Sequence, residues 1–219
     1  PLVLGLIAAI PPPGWFLPQL FTAPWVERLP RKKPFVVTVS LLTDRMAPWL
    51  MALVAWQSTR LSADMAVILF LLALVYFRFS AGVTATAWLE MVAKVIPVRV
   101  RGRFFGMTLF VGAAMGFVAA LAAGYLLARY PFPVNFALCF AIGGIFVFIS
   151  WVAQALTREP PSPDLRPFTP FAQYWRALPD ILRQDANYRR FLITRAMVPL
   201  ANMGTGFVAV YGVRRFSLP

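Results

Sequence analysis

Two ionisable side chains, Asp44 and Arg45, stand side by side in the middle of an apolar run, VSLLTDRMAPWLM at 39–51. A third, Arg78, opens RFSAGVTATA at 78–87 inside another apolar run, and Asn202 and Thr205 lie in ANMGTGF towards the end of the chain. In such surroundings a carboxylate and a guanidinium can form ion pairs, bind a proton or hydrogen-bond a polar solute. Catalysis and metal binding have far less to draw on. There is no histidine and one cysteine, Cys139, itself in an apolar run, which excludes disulfides and leaves zinc sites and histidine-based acid–base catalysis without ligands or bases. An intramembrane enzyme would need a catalytic cluster at one depth, and the few acids do not supply it. The expectation is a protein with no catalytic residues, no metal and no cofactor, which acts by binding.

Helices in lipid must position those side chains. Of 219 residues, 60% are hydrophobic and 13% charged, with a mean hydropathy of +0.70, an inventory that cannot build a water-facing surface. Runs of about 20 mostly apolar residues, the length that a ~30 Å hydrocarbon core demands of a helix, recur between short polar breaks. The pattern predicts an all-α polytopic membrane bundle with spans near 2–24, 35–56, 65–87, 105–127, 134–156 and 191–213. PPP at 11–13 leaves the first span either strongly kinked or shifted towards 14–26.

The net charge of +13 sorts by side of the membrane. Fourteen of the Lys and Arg residues fall in the connections 25–34, 88–104 and 157–190, against four on the opposite side. Cytoplasmic loops carry that excess, so these three connections are expected to face the cytoplasm of a protein in the cell (inner) membrane. The basicity is then topological and calls for a lipid bilayer as partner, with no nucleic acid. Within 157–190, a proline-rich linker precedes Trp175, Leu178, Ile181 and Leu182, one stripe of a short amphipathic helix at the membrane surface; a solvated linker is the alternative. The chain opens on Pro1 and closes just after a span, as expected of a fragment.

Three motifs in this frame resemble the major facilitator superfamily of secondary transporters, and a fourth departs from its pattern. That family carries G-x-x-x-D-R-x-G-R-R after its second helix, and APWVERLPRK keeps the spacing with Glu27 as the acid and Arg28, Arg31 and Lys32 as the bases, although Ala23 and Pro30 replace both glycines. Arg78 and Gly82 match its R-x-x-x-G pattern in the fourth helix. VRVRGRFFG, with Arg101, Gly102 and Arg103, resembles its R-x-R-G turn. Gly112, Gly116, Ala120 and Gly124 recur every four residues where family antiporters have a glycine-rich signature; the proline of that signature is missing, and a face for close helix packing explains the stripe better.

The resemblance implies that the spans are the family's second to seventh helices. Residues 1–156 would be most of the N-terminal six-helix bundle without its first helix, 157–190 the cytoplasmic linker between bundles, and 191–219 the first helix of the C-terminal bundle. It further implies transport of a small solute by alternating access, with the solute bound near the bilayer midplane and a proton or other ion as a coupling partner. The loop acid and bases would pair in one conformation and part in another. The alternative is a membrane interaction protein that keeps the scaffold without transporting. Arg78, Asp44, Asn202 and Thr205 are the candidate cavity residues. At about 1.5 Å per residue, Asp44 lies ~14 Å in from residue 35 and Arg78 ~14 Å in from residue 87. Neighbours on a helix point about 100° apart, so the expectation is that Asp44 pairs with Arg78 across two helices rather than with Arg45.

Overall fold

The computed structural model describes residues 2–162 and 171–201. The described residues form helices and no strand: α1 (Leu2–Ala9), α2 (Pro11–Val26), α3 (Lys33–Leu42), α4 (Ala47–Gln57), α5 (Ala63–Val95), α6 (Val98–Arg129), α7 (Val134–Ala155), α8 (Phe171–Gln184) and α9 (Ala186–Ala201). Four segments are long and apolar enough to cross a membrane: Lys33–Gln57, which joins α3 and α4, then Ala63–Val95, Val98–Arg129 and Val134–Ala155. They coincide with the spans expected at 35–56, 65–87, 105–127 and 134–156, and they mark a membrane-embedded protein.

Proline accounts for both interruptions near the N-terminus. Pro11, Pro12 and Pro13 have no N–H, so the helical ladder lapses after Ile10 N–H bonds Leu6 O at 3.0 Å and resumes when Gly14 N–H bonds Ile10 O at 3.0 Å. Helices of 8 and 16 residues result, each shorter than the ~20 residues that a straight crossing requires. The second interruption falls on the charged pair. Pro48 lacks the N–H that would bond the carbonyl of residue 44, and its ring clashes with that carbonyl. Residues 43–46 leave the α ladder, and Arg45 N–H reaches back five residues to Ser40 O at 2.9 Å. Tyr76 on α5 donates to Leu42 O at 2.7 Å, satisfying a carbonyl beside the break.

α5 begins where Ser62 caps it, its Oγ accepting Met65 N–H at 3.3 Å. At about 1.5 Å per residue its 33 residues span ~50 Å, well beyond a ~30 Å core. The loop expected at 88–104 is therefore mostly helix: α5 runs to Val95, α6 starts at Val98, and Ile96 and Pro97 alone join them. Hydropathy falls along 88–95, yet Glu, Met, Ala and Lys there are strong helix formers.

The interior forms where α2, α3 and α4 pack against α5, and α7 packs on α4 and α3. One cluster joins Val26, Val36 and Ala87 with Phe35 and Trp88; another joins Met51, Ala73 and Leu74 with Phe70, Phe77 and Phe140. The closest crossing is α2 on α5. A Cβ added to Gly14 would lie 2.6 Å from Arg78 Cβ, and one added to Gly82 would strike the Gly14 carbonyl oxygen. The R-x-x-x-G spacing thus has a packing cause, because residues four apart share one face of α5 and both meet Gly14. α6 buries none of its residues. Added Cβ atoms at Gly112, Gly116 and Gly124 meet nothing within 4 Å, so the stripe expected to pack closely has no partner among the described residues.

The chain divides into two units, Pro1–Phe168 and Thr169–Pro219. In the second, α8 covers most of the expected amphipathic segment, and α9 starts where Asp185 Oδ1 accepts Tyr188 N–H at 2.9 Å. Asn202 and Thr205 lie outside the described residues, as does the rest of the span expected at 191–213 beyond Ala201.

Candidate functional site: a charged cleft at the helix break

The break at 43–46 turns Asp44 and Arg45 inwards. Asp44 is 7% exposed, and its Oδ2 lies 3.6 Å from Arg45 Nη1. The pairing expected between Asp44 and Arg78 is not formed. The 100° separation of neighbours holds only on a regular helix, and the distorted backbone lets adjacent side chains converge. Arg78 is half-buried with its guanidinium carbon 5.4 Å from the Phe77 ring centroid, and its Nε has no hydrogen-bond partner. Arg45 instead reaches α7, where Nη2 donates to Gln154 Oε1 at 3.3 Å. The pair remains incompletely satisfied: Asp44 Oδ1 and Arg45 Nε are both buried without a hydrogen-bond partner.

A cleft of about 210 Å³ opens at this pair. Ser40, Asp44, Arg45, Thr84 and Gln154 supply its polar wall, and Trp15 and Trp88 two of its flatter faces. A second cleft of about 340 Å³ extends towards the basic ends of the helices, lined by Phe104, Ser150 and Thr157 among others. Arg45, Trp88 and Gln154 line both. The Arg45–Gln154 hydrogen bond and the Trp88 side chain therefore lie where the two spaces adjoin. Arg78, the first cavity candidate, lines neither cleft.

A different constellation sits at the basic end. Lys32, only 2% exposed, donates through Nζ to Leu29 O at 2.6 Å and Glu27 O at 3.3 Å, carbonyls just past the end of α2, and pairs with Glu90 at 3.2 Å. Glu159, from the segment after α7, accepts the backbone N–H groups of Lys32 at 3.0 Å and Lys33 at 2.6 Å, two donors that α3 leaves free at its start. It also pairs with Lys94 Nζ at 2.8 Å. Burial pushes the Glu159 carboxyl up, but the N–H of Lys32, the Lys94 hydrogen bond, the N–H of Lys33 and the Lys94 charge together outweigh it and hold the group below its ordinary value. Ser162 N–H bonds Pro30 O at 2.8 Å and completes the strap.

The loop motifs divide in this light. Lys32 is fully engaged, whereas the Glu27 carboxylate makes no ion pair among the described residues; Glu90 and Glu159 are the acids that meet bases there. Arg31 is exposed. Arg101 donates to Ala93 O at 2.7 Å and Ile96 O at 3.2 Å, closing the C-terminal end of α5, while Gly102 and Arg103 are exposed. Sequence reasoning missed Gln154, Ser40, Thr84, Trp15 and Trp88 in the cleft, and Glu159 in the strap. Two signals were available: Gln154 is the one amide in the apolar stretch 136–156, and Glu159 is an isolated acid beside Arg158. Compared with known proteins, the chain matches no family model, no curated protein and no solved structure.

Proposed function

We propose that this chain belongs to an alternating-access secondary transporter of the major facilitator type, and that a small polar solute passes through the cleft at the helix break. The observation that carries the proposal is the buried, incompletely satisfied Asp44–Arg45 pair on the wall of a cleft among apolar helices. Charge at that depth is costly and is kept where it meets a pathway or a partner. The discontinuous helix around it resembles the broken helices on which transporters build their sites. The loop motifs quoted above supply the family half of the proposal.

The test is solute flux into proteoliposomes holding the protein, with a mixture of small metabolites outside and their appearance inside followed by mass spectrometry. Flux of at least one solute, lost in Asp44→Asn at equal membrane insertion, is the expected result. No flux of any solute would overturn the proposal. The scaffold alternative has one observation in its favour, the wholly exposed face of α6, and that outcome would leave it standing.

A further inference from the structure

We infer that the cleft takes a small zwitterion, its carboxylate on Arg45 and its ammonium on Asp44; the inference rests on the transport proposal for the same cleft. Charge balance decides the class. Among the described residues, Asp44 and Arg45 are the only ionisable ones lining this cleft, and each is the other's counterion. Their unsatisfied atoms, Asp44 Oδ1 and Arg45 Nε, are buried, so a ligand reaches them only by parting the pair. An anion would then satisfy Arg45 and strand the carboxylate; a cation would do the reverse. A neutral polar solute replaces neither charge. A solute carrying both charges compensates each half as it separates.

The present partners of Arg45 are exchangeable. At 3.6 Å from Asp44 and 3.3 Å from a neutral amide, both contacts are longer than the ~2.7–2.9 Å of a charge-assisted hydrogen bond. A carboxylate matches the guanidinium fork better than a single amide oxygen does. Its arrival displaces Gln154, which like Arg45 lines both clefts. The space of about 210 Å³ suits a solute of amino-acid size, and the Trp15 and Trp88 rings offer faces for an ammonium or an apolar body.

The test is equilibrium dialysis of the protein in lipid nanodiscs against three labelled sets: alanine, leucine and phenylalanine, each beside its hydroxy-acid and its amide. The members of a set match in size and present a zwitterion, an anion and a cation. The zwitterion of at least one set is expected to bind roughly tenfold or more tighter than both partners. Asp44→Asn should shift preference to the hydroxy-acid and Arg45→Gln to the amide, a reversal that a merely structural pair would not produce. The comparison within the unmodified protein stands even if a variant fails to fold. Absence of zwitterion binding, or equal binding of a singly charged partner in every set, overturns the inference. Flux of a singly charged solute without zwitterion binding would sink the zwitterion and spare transport, whereas zwitterion binding without flux would do the opposite.

Discussion

The two charged constellations of this protein differ in how completely they are satisfied. At the basic end, Glu159 accepts two backbone N–H groups and a lysine ammonium, and Lys32 finds two carbonyls and a carboxylate. At the helix break, Asp44 and Arg45 make one long contact, borrow a neutral amide from α7, and leave a buried acceptor and a buried donor unused. A buried charge with all its bonds made fixes a conformation; one with bonds missing favours rearrangement or a ligand. The contrast fits the first site for holding helix ends together and the second for the exchange proposed above.

The largest effect expected is at the break. Asp44→Asn should abolish flux, because it leaves Arg45 without its counterion and removes the acid at the centre of the proposed pathway. Expression and insertion are expected to be retained, since the segment Lys33–Gln57 stays as apolar as before. Retained flux in this variant would erase the distinction between the two sites.

At the strap the same operation should act on stability and spare flux. Glu159→Ala removes the carboxylate paired with the partly exposed Lys94 and uncaps the start of α3, and losing hydrogen bonds to a charged group costs about 2 kcal/mol. Thermal unfolding in detergent would register this as a lower midpoint. Unchanged stability together with lost flux would mean that the strap, rather than the break, is the moving part.

Sequence patterning reached the membrane character and the middle four spans because hydropathy over about 20 residues reports burial in lipid without reference to neighbours. The site was reached only in part. Asp44 and Arg45 stand out as charges in an apolar run, but depth measured along straight helices mispairs them, because Pro48 breaks this one at the pair. Gln154 sits almost at the end of α7, far from Arg45 by helix depth; the long arginine side chain closes that gap. Glu159 was invisible for another reason. Its partners are backbone N–H groups of a helix 126 residues away, and no side-chain pattern records those.

The α2–α5 crossing offers a control outside both sites. An added methyl at Gly82 would meet the Gly14 carbonyl and, at 2.8 Å, the Trp15 carbonyl, both backbone atoms that cannot rotate away. Gly82→Ala is expected to cost about 2 kcal/mol through overpacking. Gly112→Ala, where nothing lies within 4 Å, should cost nothing and raise stability by up to about 1 kcal/mol, because glycine is a poor helix former. Equal costs for the two would show that α6 has a packing partner.

The smallest effect separates the strap from the break by pH. Glu159 lies outside the spans, and its carboxyl is held below its ordinary value in the folded protein. A group with a depressed folded pKa binds more protons when unfolded, so stability rises with pH through the window between the two values. Its contribution is therefore complete above the unfolded carboxylate value of about 4.3 and fades as pH falls through the lower, folded value. Protonation removes the charge but leaves the carboxyl in place and still able to accept one N–H, so the loss should be smaller than that of Glu159→Ala. Unfolding midpoints of the unmodified protein and of Glu159→Gln, measured from pH 7 to pH 3, should stay apart by a constant gap down to about pH 5 and then converge. A gap that persists to pH 3 would mean that the strap acts through shape alone, and that the charge on Glu159 is idle.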